Sequence, residues 1–149
     1  MTSHFQCDTF LKQLRSEHQH LDREVLKIRD AFQKSLEAPL ASPARRHVVE
    51  ALQSLRAALL KHFRQEESEG CLWEAASFNT SLCGDVKKVL GEHPAMLERL
   101  DAIIGSVEKA ASRGDWAAPA LAEFDKLARI MAEHEAREIA ILESSFPVA

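Results

Sequence analysis

The sequence predicts an all-α fold: an antiparallel up-down-up-down four-helix bundle, built as a single domain over residues 1–149. Three observations predict it. Apolar residues recur at alternating spacings of three and four through four long segments, the stripe that a helix buries against its neighbours. Short gaps rich in helix breakers part those segments, so successive helices fold back on one another. Composition agrees, with five Gly, five Pro and no Tyr among 149 residues, while Leu, Ala, Glu, Lys and Arg dominate. At 46% apolar residues the chain can bury a sizeable core and does not have the make-up of a disordered one.

The first helix is expected from Cys7 to Leu36, with the stripe Leu11, Leu14, His18, Leu21, Val25, Ile28 and Phe32. The gap "EAPLASP" follows, in which Pro39 and Pro43 interrupt backbone hydrogen bonding and Ser42 is a candidate N-cap. The second helix then runs to Glu69, where Gly70 ends it, and carries Val48, Leu52, Leu55, Leu59, His62 and Glu66. Residues 70–80 are a longer connection, with "CLWEAA" as a short helical turn. The third helix is expected from Ser81 to Ala111, with Val86, Leu90, His93, Leu97, Leu100, Ile104 and Val107 on its stripe. Pro94 falls inside it. A proline there lacks an N–H and clashes with the preceding turn, so with Gly91 nearby the helix should kink or break at His93. "SRGD" is the next turn, with Asp115 as candidate N-cap. The fourth helix runs from Trp116 to Ser144, tolerates Pro119 in its first turn, and carries Phe124, Leu127, Met131, His134, Glu138 and Ile141.

Six of these stripe residues are polar, where the rhythm calls for core residues. In an antiparallel hairpin, facing residues are symmetric about the turn. The midpoint of His18 and His62 is position 40, inside "EAPLASP". That of His93 and His134 falls between 113 and 114, inside "SRGD", and that of His62 and His93 between 77 and 78, inside the third gap. All six polar residues therefore lie at one height and face one axis. A weak internal repeat supports this: "EHQHL" and "HFRQE" in the first half resemble "EHPAM" and "HEARE" in the second. Each half offers one lone histidine and one H-x-x-x-E pair.

Residues four apart share a helix face, so His62 with Glu66 and His134 with Glu138 can each grip a common centre. Leaving such groups buried and unpaired costs several kcal/mol each, and no Lys or Arg stands on the stripes at this height. Metal ions would satisfy all six. His18, His62, Glu66, His93, His134 and Glu138 are therefore the candidate ligand set, and imidazole with carboxylate suits iron, manganese or zinc. Glu66 and Glu138 can bridge two ions, each then holding two imidazoles and two carboxylate oxygens. An octahedral shell keeps room for an oxo or hydroxo bridge and for an exogenous ligand such as O2.

The remaining histidines fit less well. His20 lies two residues off its stripe, His4 is in the N-terminal tail, and His47 faces away from Val48. Glu67 is off the stripe, a solvated residue sooner than an extra ligand or a support for one. Glu17 and Glu92 each precede a ligand histidine and are candidates to support one.

Other chemistries are poorly supported. "HEARE" is not the HExxH of a zinc protease, and neither GxSxG nor a glycine-rich phosphate loop occurs. Ferritin-like Glu-x-x-His has the opposite order. A net charge of −4 without a basic block argues against nucleic acid. No apolar run approaches the ~20 residues that span a bilayer, and the N-terminus lacks signal-peptide order. Cys7, Cys71 and Cys83 are widely spaced without a CxxC pair, which reads as thiols in a reducing compartment, the cytoplasm.

In this order and spacing, His18, "HFRQEE", "EHPAM" and "HEARE" resemble the hemerythrin-like, HHE cation-binding family, over residues 17–138. The resemblance implies two iron ions in a non-haem centre inside a four-helix bundle. It implies a role in binding O2, in sensing O2, NO or iron, or in handling oxidative stress. O2-carrying members are similar but have H-x-x-x-H on the third helix and H-x-x-x-x-D on the fourth. This chain has Leu97 at the second position of the former and Glu138 at spacing four in the latter. One imidazole fewer shifts the expectation from O2 carriage toward sensing or iron chemistry. An oxidase, peroxidase-like or ferroxidase-like enzyme using the same centre is one alternative, and a helical interaction module that needs no metal is another.

Overall fold

The computed structural model describes residues 4–37, 43–110 and 115–145, with the side chains of residues 4–6 and 69 left aside. Every regular element among the described residues is a helix. They are α1 (His4–Glu37), α2 (Ala44–Glu69), α3 (Cys71–Phe78), a 3-10 turn (Thr80–Leu82), α4 (Cys83–Gly91), α5 (His93–Lys109) and α6 (Ala117–Ser145). No helix among them is long and apolar enough to cross a membrane.

Local chemistry explains where these elements start and stop. α2 begins after Pro43, whose carbonyl accepts from His47 N–H at 3.2 Å. Pro43 thus holds the N-cap place expected for Ser42, which, like Pro39, lies outside the described residues. At the other end Gly70 is left-handed with φ 75°, a conformation that glycine adopts without a Cβ penalty. Its carbonyl accepts from Glu74 N–H at 2.9 Å, so the residue that ends α2 also starts α3. The connection expected over 70–80 is therefore more ordered than a loop: α3 occupies most of it, and the Asn79 side chain accepts from Ser81 N–H at 3.2 Å to launch the 3-10 turn.

The third predicted helix is two helices. α4 ends where Glu92 N–H turns back to the Val89 carbonyl at 3.2 Å, and α5 starts at His93 with Pro94 in its first turn. A first-turn proline needs no N–H partner and has its φ preset for a helix, so Pro94 begins an element where the interior of a helix would exclude it. The buried face departs from the expected stripe on both sides of this boundary. Val89, Met96 and Ile103 are buried, whereas the stripe residues Leu90 and Leu97 are only partly so. The fourth predicted helix starts one residue late: Ala120 N–H donates to the Trp116 carbonyl at 3.3 Å, which gives Trp116, not Asp115, the N-cap place.

Among the long helices, α1 packs on α2 and α6, and α5 packs on α2 and α6. Paired groups fix the directions. α1 runs against α6, with Arg15 on Glu143 at one end and Arg29 on Asp125, at 2.9 Å, toward the other. α2 runs against α5, with Arg45 donating to the Glu108 carbonyl at 3.0 Å and Arg56 to Asp101 at 2.6 Å. α3 and α4 pack on each other and on α6.

Apolar burial falls into two clusters. The larger gathers Leu21, Ile28, Phe32, Leu52, Leu55, Leu100, Phe124 and Leu127 with their neighbours from the long helices. The smaller joins the start of α1 and the end of α6 to α3 and α4 through Leu11, Leu14, Leu72, Val86 and Leu142. It also holds Cys7 and Cys71, with Cys83 packed against it, and none of the three forms a disulfide. The six polar stripe residues are absent from both clusters, and they lie along the chain where one gives way to the other.

Candidate metal centre

Four helices deliver the polar layer. α1 brings His18 from its interior, α2 brings His62 and Glu66 from its last two turns, α5 brings His93 as its first residue, and α6 brings His134 and Glu138. All six expected residues are buried, from 7% exposure at His18 to none at Glu138.

The ring nitrogens that meet the carboxylates are all Nε2. Glu66 reaches His62 with Oε1 at 2.5 Å and His93 with Oε2 at 3.2 Å. Glu138 Oε1 lies 3.1 Å from His134 and 3.6 Å from His18. Their donor atoms form two overlapping groups, His18, His62, Glu66 and Glu138, and Glu66, His93, His134 and Glu138. Within each group all ligand atoms lie within 4.8 Å of one another. Donors on opposite sides of an ion with ~2.1 Å bonds are about 4.2 Å apart, so each group has the size of one coordination shell. Glu66 and Glu138 belong to both groups, and each touches one histidine of either.

Polar satisfaction points the same way. Nε2 of His18, His62 and His134, Oε1 of Glu66 and both oxygens of Glu138 are buried without a hydrogen bond. The 2.5 Å approach of His62 to Glu66 is among these, because it fails the angular requirement of a hydrogen bond. Among the described residues no Lys or Arg pairs with Glu66 or Glu138, and a carboxylate buried without a partner, as Glu138 is, costs several kcal/mol when ionised. Cations among the donors would remove that cost, so the residues present fit a pair of metal ions.

The outward nitrogens are also held. Nδ1 of His62 meets Glu17 at 2.6 Å, Nδ1 of His93 meets Glu67 at 3.0 Å, and Nδ1 of His134 meets Glu92 at 3.1 Å. A hydrogen bond on Nδ1 places the proton there and leaves Nε2 free to ligate. Arg137 in turn holds Glu92 through both oxygens, at 2.8 and 2.6 Å. Glu17 and Glu92 thus take the supporting places expected of them. Glu67 is half-exposed and belongs to neither ligand group, but it too supports a histidine. His20 and His47 are exposed, as expected, and the side chain of His4 lies outside the described ones.

Electrostatics follows from burial and these contacts. Burial disfavours the ionised form of Glu66, but the close approach and charge of His62 and His93 outweigh it and hold its pKa down, at about 2. Burial also opposes charge on His62, where Glu66 and Glu17 prevail and raise its pKa above the ordinary value. Burial wins at His18 and His134 and lowers both.

In the metal-free protein these shifts have opposite consequences. The depressed Glu66 stabilises the fold fully above its ordinary pKa of 4.5, and that contribution is lost as pH falls toward 2. The raised His62 stabilises fully below 6.5, and that contribution is lost as pH rises through its folded value. Urea unfolding of metal-free protein across the acid range should therefore show a loss of stability below pH 4.5 that Glu66→Gln diminishes.

Two side chains escaped the sequence reading. Phe63, next to His62, stacks on His93 with ring centres 4.0 Å apart and meets His134 edge-on at 5.9 Å. Glu135, next to His134, has its carboxyl pushed up to about 7 by burial, with His18 the largest opposing influence. Their adjacency to ligand histidines was the available signal, but both lie off the stripe. Neither a protein-family model, nor a curated protein, nor a solved structure matches this chain.

Proposed function

We propose that the protein binds two metal ions in the polar layer of an up-down-up-down four-helix bundle, as a cytoplasmic di-iron protein of hemerythrin-like type. One observation carries this: two four-donor groups share Glu66 and Glu138, and most of their inward atoms are buried without partners. Iron is the family-implied metal, while the donor set alone also suits manganese or zinc. Bound iron would supply a redox-active centre that coordinates a small diatomic molecule, O2 or NO.

The chain's own residues do the rest. His18 and His62 would hold one ion and His93 and His134 the other, with Glu66 and Glu138 shared between them and balancing their charge. Leu97, where the carriers' pattern has an imidazole, packs against the larger core. Each ion then has four protein donors, fewer than an octahedral shell holds. That supports sensing of O2, NO or redox state over reversible carriage.

Turnover as an oxidase or ferroxidase-like enzyme is the second reading. Glu135 favours it, because this partly buried carboxyl next in sequence to His134 is placed to exchange a proton beside the centre. Repeated turnover with peroxide and a reductant would select this reading, and a single stoichiometric oxidation would select sensing. The test of the shared premise is anaerobic loading with Fe(II). Metal analysis should give two irons per chain, one for each donor group, and admission of air should produce a new near-ultraviolet band. His62→Ala should reduce both. A wild-type protein that retains no iron would overturn the proposal.

A further inference from the structure

We infer that the two ion positions are unequal: the one held by His93 and His134 fills first, and Glu67 and Glu92 are the positioning residues that make it so. The inference rests on the two-ion reading above and adds an order of occupancy to it.

The asymmetry lies outside the ligand shell. Both imidazoles of the His93/His134 position have a carboxylate on Nδ1, Glu67 at 3.0 Å and Glu92 at 3.1 Å. Glu92 is fixed in its turn by both of its contacts to Arg137. Phe63 lies flat on His93, with 4° between the planes, and edge-on to His134. These rings are oriented before an ion arrives. At the other position only His62 has such support, from Glu17 at 2.6 Å. Among the described residues no carboxylate hydrogen-bonds Nδ1 of His18, whose ring contact is with His62, edge-on at 5.2 Å. Its outward nitrogen lacks the support that the other three have. A partner on the outward nitrogen of a ligand histidine is worth roughly 10–100-fold in metal affinity, and a preorganised site loses less conformational freedom on binding. Glu67 is half-exposed, so its share should be the smaller of the two. The bridging carboxylates serve both positions and do not discriminate between them.

Calorimetric titration of the metal-free protein with Zn(II) tests this. Wild type should bind in two resolved steps, one ion in each. Glu92→Gln should weaken the first step by about 10–100-fold, Glu67→Gln should weaken it less, and Glu17→Gln should weaken only the second. His18→Ala should keep the tight step and lose the weak one. A purely structural role for Glu92 would lower stability without moving one step selectively, and Glu92→Asp should restore part of the tight step. Two equal steps in the wild type, or Glu92→Gln and Glu17→Gln weakening the same step, would overturn the inference. A bound ion repels a second, so unequal steps in the wild type are required, and the selectivity of the variants assigns the first step to His93 and His134. A protein that binds no zinc and no iron would instead overturn the two-ion proposal.

Discussion

Glu138→Gln is expected to abolish the binding of both metal ions, while His18→Ala removes one. Glu138 approaches His134 at 3.1 Å and His18 at 3.6 Å, one from each donor group. It is fully buried, and both of its oxygens lack hydrogen bonds. The amide keeps the shape but loses the charge and one acceptor oxygen. Each ion loses an anionic donor, and the two cations lose a shared negative charge that offsets their repulsion. Glu66 is the other shared carboxylate and should behave alike, since it spans His62 and His93. His18 enters only one group, so its removal should leave the other ion in place. Metal content per chain after gel filtration reads the difference. Retention of one ion by Glu138→Gln would mean that the carboxylate serves one ion and bridges nothing.

The second large effect concerns stability and carries two signs. Metal loading of the wild type should stabilise it by about 4 kcal/mol at a free metal concentration 1,000-fold above Kd. For a chain of this size each kcal/mol corresponds to roughly 2–4 °C in Tm. Without metal the same layer is a burden, because buried ions that lack good partners often stabilise less than an apolar side chain of similar volume. Glu138→Met should therefore raise the stability of the metal-free protein by about 1–4 kcal/mol and eliminate the rise on loading. Thermal unfolding with and without metal gives both numbers. A metal-free Glu138→Met protein less stable than wild type would show that the carboxylate supports the fold directly, as a metal-independent interaction module requires.

The ligand layer was legible in the sequence because two periodicities coincide in it. Helical spacing placed His18, His62, Glu66, His93, His134 and Glu138 on stripes, and hairpin symmetry placed them at one height. Both signals survive ordinary errors in helix ends: the start of α2 and that of α6 were each misplaced by a residue without moving any ligand. The continuation of helix three through Pro94 was less secure, since a proline reads as a kink within one helix or a boundary between two, and only packing distinguishes them. Burial falls on Val89 and Met96 where the expected stripe had Leu90 and Leu97, an equally regular alternation of three and four. Glu135 and Phe63 were illegible for another reason. Each stands one residue from a stripe position, where spacing predicts solvent, and supports the layer from its flank.

The donor groups also divide by sequence half. His18 and His62 lie before Gly70, and His93 and His134 lie after it, while each half lends one carboxylate across to the other. The arrangement matches what two copies of one hairpin would build by symmetric pairing. Neither half supplies a whole donor group alone, so a bound ion would act as a removable cross-link between them. Residues 71–91, with α3 and α4, carry none of the six ligands. They link the halves and close the smaller apolar cluster against the start of α1 and the end of α6.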